Sequence, residues 1–329
     1  MSSQYLFLFI SLYVSHFVSQ NALSTNNGSI GINYGRIANN LPSPPQAIKL
    51  LKSQGFTRIK LYDADSAVLK ALSGSGIHVT VALLNQELKS AAIGNEVFVD
   101  PQNTTSYLVP AMYNVYASLV KYDVASNIKV TSPIAISALG NSYPPSLGSF
   151  KSDLVEPVIK PMVKFLKQTG SGYENDILGL CFIPHNGLVY KSLLEAQIDA
   201  VYSTMGLLGF NDVKLVVSET GWPSKGDENE VGANKENAEG YNGNLVKRAL
   251  TGGGTPLRPN EPINAYLFAL FNENQKGGPS SEQNYGLFYP SEEKVYDIPL
   301  TIDGSKNELV PIWWSYMVYF GTCQFPTGY

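Results

Sequence analysis

Val216-Val217-Ser218-Glu219-Thr220-Gly221-Trp222-Pro223 decides the fold of this chain. The apolar run over residues 213–217 ends in a carboxylate and is stopped at once by Gly, Trp and Pro. Short β-branched runs bounded by turn residues read as buried strands. A Glu at the C-terminal lip of such a strand is costly to bury unless something pairs with it or uses it. A second stretch, Ala91-Ala92-Ile93-Gly94-Asn95-Glu96-Val97, has the same construction. Two strand-end carboxylates on one chain call for an explanation.

Working outward from Glu219, strands and helices alternate. A helix is expected over 192–208 before it, and another over 234–250 after it, ending at Gly252-Gly253-Gly254. A last strand occupies 263–271. Toward the N-terminus, Ile30-Gly31-Ile32-Asn33-Tyr34-Gly35 is a strand stopped by Gly. Ser43-Pro44-Pro45 supplies an N-cap with Pro in the first turn, opening a helix with apolar Ala47, Ile48, Leu50 and Leu51. Arg58-Ile59-Lys60-Leu61-Tyr62 is the next strand, and Asp65 caps a helix running through Leu72. Residues 77–84 form a third strand, apolar on both faces, as a parallel strand covered on both sides should be. Further helices fall over 105–122 and 150–168, the second with Pro157 and Pro161 restricting or bending its first turns, and further strands over 127–134 and 177–183.

Repeated strand–helix units predict right-handed βαβ connections. Strand candidates start near Ile30, Arg58, Ile77, Ala91, Asn127, Ile177, Val213 and Ile263, which is the count of an α/β (β/α)8 TIM barrel. Catalytic groups in that fold sit at the C-terminal ends of strands, where Glu96 and Glu219 would be the fourth and seventh. One interval breaks the pattern. Only residues 85–90 separate the third strand from the fourth, while a helical crossover needs at least about 10–12 residues. The expected barrel is therefore incomplete, its third helix missing.

Composition narrows the function. The 329 residues suit one large barrel or two ordinary domains. A formal net charge of −4 with 15 % charged residues gives neither a basic footprint for nucleic acid nor a polybasic membrane patch. The 20 Tyr, 14 Phe and 3 Trp suit a core, and also a groove that stacks on flat apolar ligand faces. His16, His78 and His185 form no metal-ligand spacing, and no cofactor is implied. Cys181 and Cys323 make no disulfide framework, and spacing alone does not say whether they pair. The apolar run over 5–18 is short for a membrane span and fits a secretory signal peptide, taken as residues 1–24. The sequons Asn27-Gly28-Ser29 and Asn103-Thr104-Thr105 agree with secretion.

The two carboxylates point to glycosidic hydrolysis. Cleavage with retention needs two carboxyl groups about 5–5.5 Å apart, one as acid then base, the other as nucleophile. Asn95, beside Glu96, offers an amide for a sugar hydroxyl, and Trp222, beyond Glu219, a platform for a pyranose ring.

Ile32-Asn33-Tyr34-Gly35, Ile59-Lys60-Leu61-Tyr62-Asp63, Gly94-Asn95-Glu96-Val97 and Val217-Ser218-Glu219-Thr220-Gly221-Trp222-Pro223-Ser224 resemble motifs of plant glucan endo-1,3-β-glucosidases of glycoside hydrolase family 17. So do Phe271-Asn272-Glu273-Asn274-Gln275-Lys276 and Asn284-Tyr285-Gly286-Leu287-Phe288-Tyr289, in family order from about 30 to 300. The resemblance implies a (β/α)8 barrel, secretion, a long groove and retaining cleavage of β-1,3-glucan such as callose. It implies Glu96 as acid/base and Glu219 as nucleophile. It further implies substrate contacts from Tyr34, Tyr62, Asn95, Trp222, Phe271, Glu273, Lys276 and Glu282. The chain departs from the family at the missing third helix, at the sixth strand, which is in question, and at the tail Pro311-Ile312-Trp313-Trp314-Ser315-Tyr316-Met317.

The expected organisation is a leader over 1–24, a barrel over 25–305 and a divergent tail over 306–329. The expected protein is a monomer, secreted to the extracellular space or cell wall, or held in the vacuole. It would have no stable membrane span after leader removal and would act on β-1,3-glucan. Two other readings compete: a β-glucan-binding protein that keeps the groove but is catalytically impaired, and a shortened product that folds poorly.

Overall fold

The computed structural model describes residues 27–82, 105–170, 173–176, 183–185 and 187–301. The leader, the link over 85–90, Asn95, Glu96, Asn103, Cys181, Cys323 and the tail over 306–329 lie outside the described residues.

Local chemistry places the first elements where the sequence puts them. Strand β1 (Ser29–Tyr34) leads to helix α1 (Pro44–Ser53), whose prolines occupy the first turn while Ser43 N–H donates to Gln46 Oε1 at 3.0 Å. Strand β2 (Arg58–Leu61) leads to α2 (Ser66–Leu72), capped by Asp65 Oδ1, which accepts from Ala67 N at 2.9 Å and Val68 N at 3.0 Å. Strand β3 is His78–Val81, and α3 is Leu108–Lys121. After β4 (Pro133–Ala135), a small antiparallel pair, β5 (Leu139–Asn141) and β6 (Ser149–Phe150), precedes a helical run. That run opens at Ser152–Leu154, widens into a π turn over Val155–Ile159 and continues as α4 (Lys160–Thr169). Pro161 has no N–H to donate back one turn, and the widened turn answers that loss.

Next come strand β7 (Tyr173–Asp176) and an antiparallel pair, β8 (Ile183–His185) with β9 (Leu188–Tyr190). Helix α5 (Leu193–Leu207) begins with a capping box between Ser192 and Glu195. Strand β10 (Leu215–Thr220), α6 (Lys235–Leu250, capped by Asn234) and β11 (Asn264–Leu267) complete the described elements.

Seven strands form one sheet in the order β3-β2-β1-β11-β10-β7-β4, every pairing parallel. The first and last strands of the chain, β1 and β11, are neighbours, which is the seam of a barrel. Contacts across the concave side measure the curvature. Lys60 on β2 and Glu219 on β10 are three strands apart, yet their charged atoms are 2.6 Å apart. In a flat sheet that interval would be about 14 Å. Thr80 on β3 meets the Tyr266 hydroxyl on β11 at 3.1 Å across an equal interval. The sheet is the wall of a (β/α)8 barrel, and among the described residues its edge strands are β3 and β4.

Three expectations are corrected. The sixth strand is Tyr173–Asp176, seated between β10 and β4, while 177–182 of the expected strand lie outside the described residues. Its Tyr-Glu-Asn-Asp sequence has no apolar alternation, so periodicity pointed past it. The fifth strand is only Pro133–Ala135, the end of the expected 127–134. The eighth leaves the ladder after Leu267 instead of continuing to 271.

The strands' outer faces bury Ile30, Ile32, Ile59, Leu61, Ala265 and Leu267 against apolar helix faces such as Ala47, Ile48, Leu50 and Leu51 of α1. Each large aliphatic side chain so buried contributes about 1.5–3 kcal/mol. Helices α5 and α6 are tied by the ion pair of buried Glu195 with Arg248. Inside the barrel the limit is space. The Tyr266 ring lies across the position of Gly31, its register partner, on its way to Thr80. A Cβ at Gly31 would stand 2.4 Å from that ring.

Gly31→Ala should therefore cost about 1–3 kcal/mol of unfolding free energy. In a Tyr266→Ala background the same change should cost much less, so urea-unfolding free energies should be non-additive. Additive costs would show that the ring is not the obstacle.

Candidate active site

Strand β10 delivers Glu219 through a fault in its own ladder. Leu215 and Val217 line a small cavity with Ile198 and Tyr202 of α5, so both face the helices. Thr220 faces them too, its hydroxyl 2.6 Å from that of Tyr241 on α6. Val217 and Thr220 are three residues apart and would face opposite ways in a regular strand. A bulge resolves the conflict: Val217 pairs with Ala265 and Thr220 with Leu267, and β7 shows the same slip between Val217 and Glu219. The extra residue re-aims the rest of the strand, and Glu219 turns into the barrel.

Strand β2 supplies the cation. Ile59 and Leu61 are buried against the helices, so Lys60 between them points the other way, inward. Its Nζ contacts Glu219 Oε1 at 2.6 Å, the lysine side chain being 1 % exposed and the glutamate 19 %. Among the described residues Glu219 Oε2 has no hydrogen bond. Lys60 Nζ also lies 5.3 Å from the centre of the Tyr62 ring. Buried Asn33 of β1 donates to the Ser218 carbonyl at 3.1 Å and so holds the bulge from two strands away.

A second carboxylate belongs to the loop after β11. Glu273 is buried, and its Oε1 accepts the Ile37 N–H at 2.7 Å. Gly35 makes room for it, since a Cβ there would stand 2.4 Å from Glu273 Oε2. Burial above all pushes the Glu273 carboxyl above its ordinary range. The Ile37 amide and the Lys276 charge draw it back, while the charges of Glu282 and Glu219 push it further up.

The same loop forms a charged and aromatic wall. Lys276 Nζ pairs with Glu282 at 3.0 Å and lies 4.2 Å from the centre of the Phe268 ring. Phe268 makes edge-on contacts with Tyr62 at 6.3 Å and Tyr285 at 5.3 Å. All three rings are part-exposed, which leaves surface for an apolar sugar face. Trp222 is anchored: its indole N–H donates to Gly232 O at 2.7 Å, and its ring tilts at 40° against Tyr241.

The structure thus gathers Glu219, Tyr62, Glu273, Lys276 and Glu282, with Trp222 fixed on the loop that leaves β10. Two expected substrate contacts are corrected. Tyr34 is 2 % and Phe271 1 % exposed, and they pack on each other at 6.0 Å. Each buries its ring to support a strand end, so neither has a face to offer a ligand. Glu96 and Asn95 lie outside the described residues. Lys60 and Phe268 had no assigned role in the sequence. Lys60 did carry a signal, a lone ammonium alternating with Ile59 and Leu61 in a short strand. Among the described residues no group of His, Cys, Asp and Glu could hold a metal ion, and no helix is long and apolar enough to cross a membrane.

Known proteins of one family resemble this chain over most of its length. The family model described as glycosyl hydrolases family 17 matches residues 30–98, 88–178 and 181–300. Glucan endo-1,3-beta-glucosidase 11 of Arabidopsis thaliana is 39 % identical over 332 positions, covering 85 % of this chain and 78 % of that protein. Glucan endo-1,3-beta-glucosidase 14 of the same plant is 40 % identical over 319 positions, covering 82 % and 81 %. The first of these alignments exceeds the 329 residues of the whole chain, so that relative carries residues absent here. Among solved structures, a β-1,3-glucanase and allergen of Cryptomeria japonica pollen superposes with a TM-score of 0.79 at 33 % identity. It covers 83 % of this chain and 99 % of its own. One of two plant β-glucan endohydrolases with distinct substrate specificities gives a TM-score of 0.73 at 34 % identity, covering 82 % and 99 %.

Glu273 offers a test by pH. Its folded proton affinity is raised, so the folded state keeps this proton to higher pH than the unfolded chain. The carboxyl's contribution to stability is present in full below its ordinary value of 4.5 and is lost as pH rises through the folded value. Glu273→Gln keeps an acceptor for Ile37 and should remove that loss. In urea unfolding across a pH series, the variant should lose less stability above pH 4.5 than the parent. Equal slopes would contradict the assignment.

Proposed function

This chain belongs to the glycosyl hydrolases family 17, and from that premise we propose that it is a secreted endo-hydrolase of callose-type β-1,3-glucan acting with retention. The observation that carries the reading is Glu219, turned into the barrel at the carboxyl end of β10 and held by Lys60 at 2.6 Å. The proposed arrangement runs from a leader over 1–24 through a catalytic barrel over 25–305 to a tail over 306–329. The protein would act as a monomer in the extracellular space, cell wall or vacuole.

The geometry supports a division of labour. Lys60 holds Glu219 Oε1, which leaves Oε2 to attack the anomeric carbon and form a glucosyl–enzyme ester. Glu96 protonates the departing glycosidic oxygen, then takes a proton from the water that hydrolyses the ester. The first step spends the Glu96 proton on the leaving oxygen, and the second restores it from water and frees Glu219 as a carboxylate, so the cycle balances without a cofactor. Tyr62, Phe268 and Tyr285 offer apolar ring surface to the glucan, and Trp222 and Asn95 add a stacking face and an amide. Glu273, Lys276 and Glu282 form the charged border of the cleft.

One observation favours a second reading, a β-glucan-binding protein impaired in catalysis. The family match is interrupted where residues 88–98 belong to two partial matches, and Glu96 lies there.

The secreted chain should release short oligosaccharides from soluble β-1,3-glucan, with the β-anomer formed first by NMR. Glu219→Gln keeps an acceptor for Lys60 and should lower kcat at least about 10³-fold without loss of fold. Lys60→Met should lower kcat about 10²-fold, with partial recovery in Lys60→Arg. Glucan retained without release by the parent chain would favour the binding protein. Release at the parent rate by Glu219→Gln would rule out the nucleophile.

A further inference from the structure

Two carboxylates outside the cleft tie the loop after β10 to the loop after β11. Asp227 Oδ2 accepts the Ser280 N–H at 3.0 Å. Glu230 Oε2 accepts the Ser281 N–H at 3.3 Å and the Asp227 N–H at 2.9 Å, and its Oε1 accepts the Ser281 hydroxyl at 2.5 Å. Ser280 and Ser281 open the single turn Ser280–Gln283. At the far end of that turn, the Asn284 carbonyl accepts both the Ser224 N–H at 2.9 Å and the Ser224 hydroxyl at 3.0 Å. The β10 loop therefore grips the turn at both ends.

The gripped turn is the one that builds the charged wall. Glu282 within it pairs with Lys276 at 3.0 Å. Gln283 donates through Nε2 to the Lys276 carbonyl at 2.9 Å, and its own carbonyl accepts the Glu273 N–H at 3.1 Å. One short turn thus fixes Glu282, Lys276 and Glu273 relative to each other. Its first two amide hydrogens point at Asp227 and Glu230, as orphan N–H groups at a turn's start require. We propose that Asp227 and Glu230 are positioning residues which hold this wall of the cleft against the β10 loop for a bound glucan chain. The proposal rests on the glucanase reading for the identity of that chain.

A merely decorative surface pair would look different. Ser281, which Glu230 engages through both its backbone N–H and its hydroxyl, is buried, while Glu230 itself is half-buried. The bonds from Ser280 and Ser281 also hold the Asp227 and Glu230 carboxyls below their ordinary range, as bonds made to the charged form do.

The test compares Glu230→Ala, Glu230→Gln and Ser281→Ala with the parent on soluble β-1,3-glucan. Glu230→Ala should raise KM about tenfold with kcat changed less than about threefold. Glu230→Gln, which keeps an acceptor for the two N–H groups, should recover most of the KM. Ser281→Ala should raise KM and be non-additive with Glu230→Ala. Hydrogen exchange at the Glu282 and Gln283 amides should quicken in Glu230→Ala while thermal unfolding stays within a few degrees. A parent that turns over glucan beside an unchanged Glu230→Ala KM overturns the positioning role and leaves the glucanase reading standing. A parent without turnover overturns that reading. The clasp is then decided by exchange at Glu282 and Gln283, faster rates in Glu230→Ala supporting it and unchanged rates overturning it.

Discussion

A lysine ammonium at 1 % exposure dictates much of this molecule. Desolvating an ion costs several kcal/mol even after relaxation, and attraction to a well-placed counter-charge must offset that cost. Glu219 provides the counter-charge, but it is three strands away in the sheet order. The contact exists only if the sheet bends until β2 and β10 face each other. Curvature, the inward turn of Lys60 and the bulge that re-aims Glu219 are thus one arrangement. Loss of any of them would leave charge in a low-dielectric interior.

The rest of the interior is shaped around that pair. Asn33 reaches from β1 to the Ser218 carbonyl and pins the bulge. Gly31 yields its side-chain space to Tyr266, whose hydroxyl then reaches β3. Gly35 yields its own to Glu273. Barrel interiors are close-packed, so an added methyl at either glycine meets atoms that have nowhere to go. Outside, α5 and α6 are held by Glu195 and Arg248, and α6 supplies the Tyr241 that fixes both Thr220 and Trp222. The strand end that presents Glu219 is therefore supported from both sides. The wall opposite depends on loop–loop bonds, with Asp227 and Glu230 gripping the turn that bears Glu282.

Legibility in the sequence tracked the strength of the local signals. Helices α1 and α2 were readable from their starts, Pro44 and Pro45 in the first turn of one and Asp65 accepting two N–H groups at the other. Strand β10 was readable because β-branched residues end abruptly at Gly-Trp-Pro. The sixth strand was not, because pairing with β4 and β10 makes a strand of a segment whose own composition is polar. In the candidate site, Glu219, Glu273, Lys276 and Glu282 were named from their motifs and do converge. Tyr34 and Phe271 carried the same motif signal, yet burial turned them into support. Their residue type fits a core and a sugar platform equally well, and only the surrounding packing separates the two.

By itself the sequence determined the alternation of strands and helices, the family and the identity of the strand-end carboxylate, because those depend on contacts within a few residues or on motifs. The tertiary structure decided which side chains face which way after a bulge, which aromatic rings stay exposed and which cation answers Glu219. A one-residue slip in a strand reverses every side chain beyond it, and no local signal in the sequence reports where that slip occurs. Lys60 and Glu219 are 159 positions apart along the chain and meet only because the sheet curves until β2 and β10 face each other.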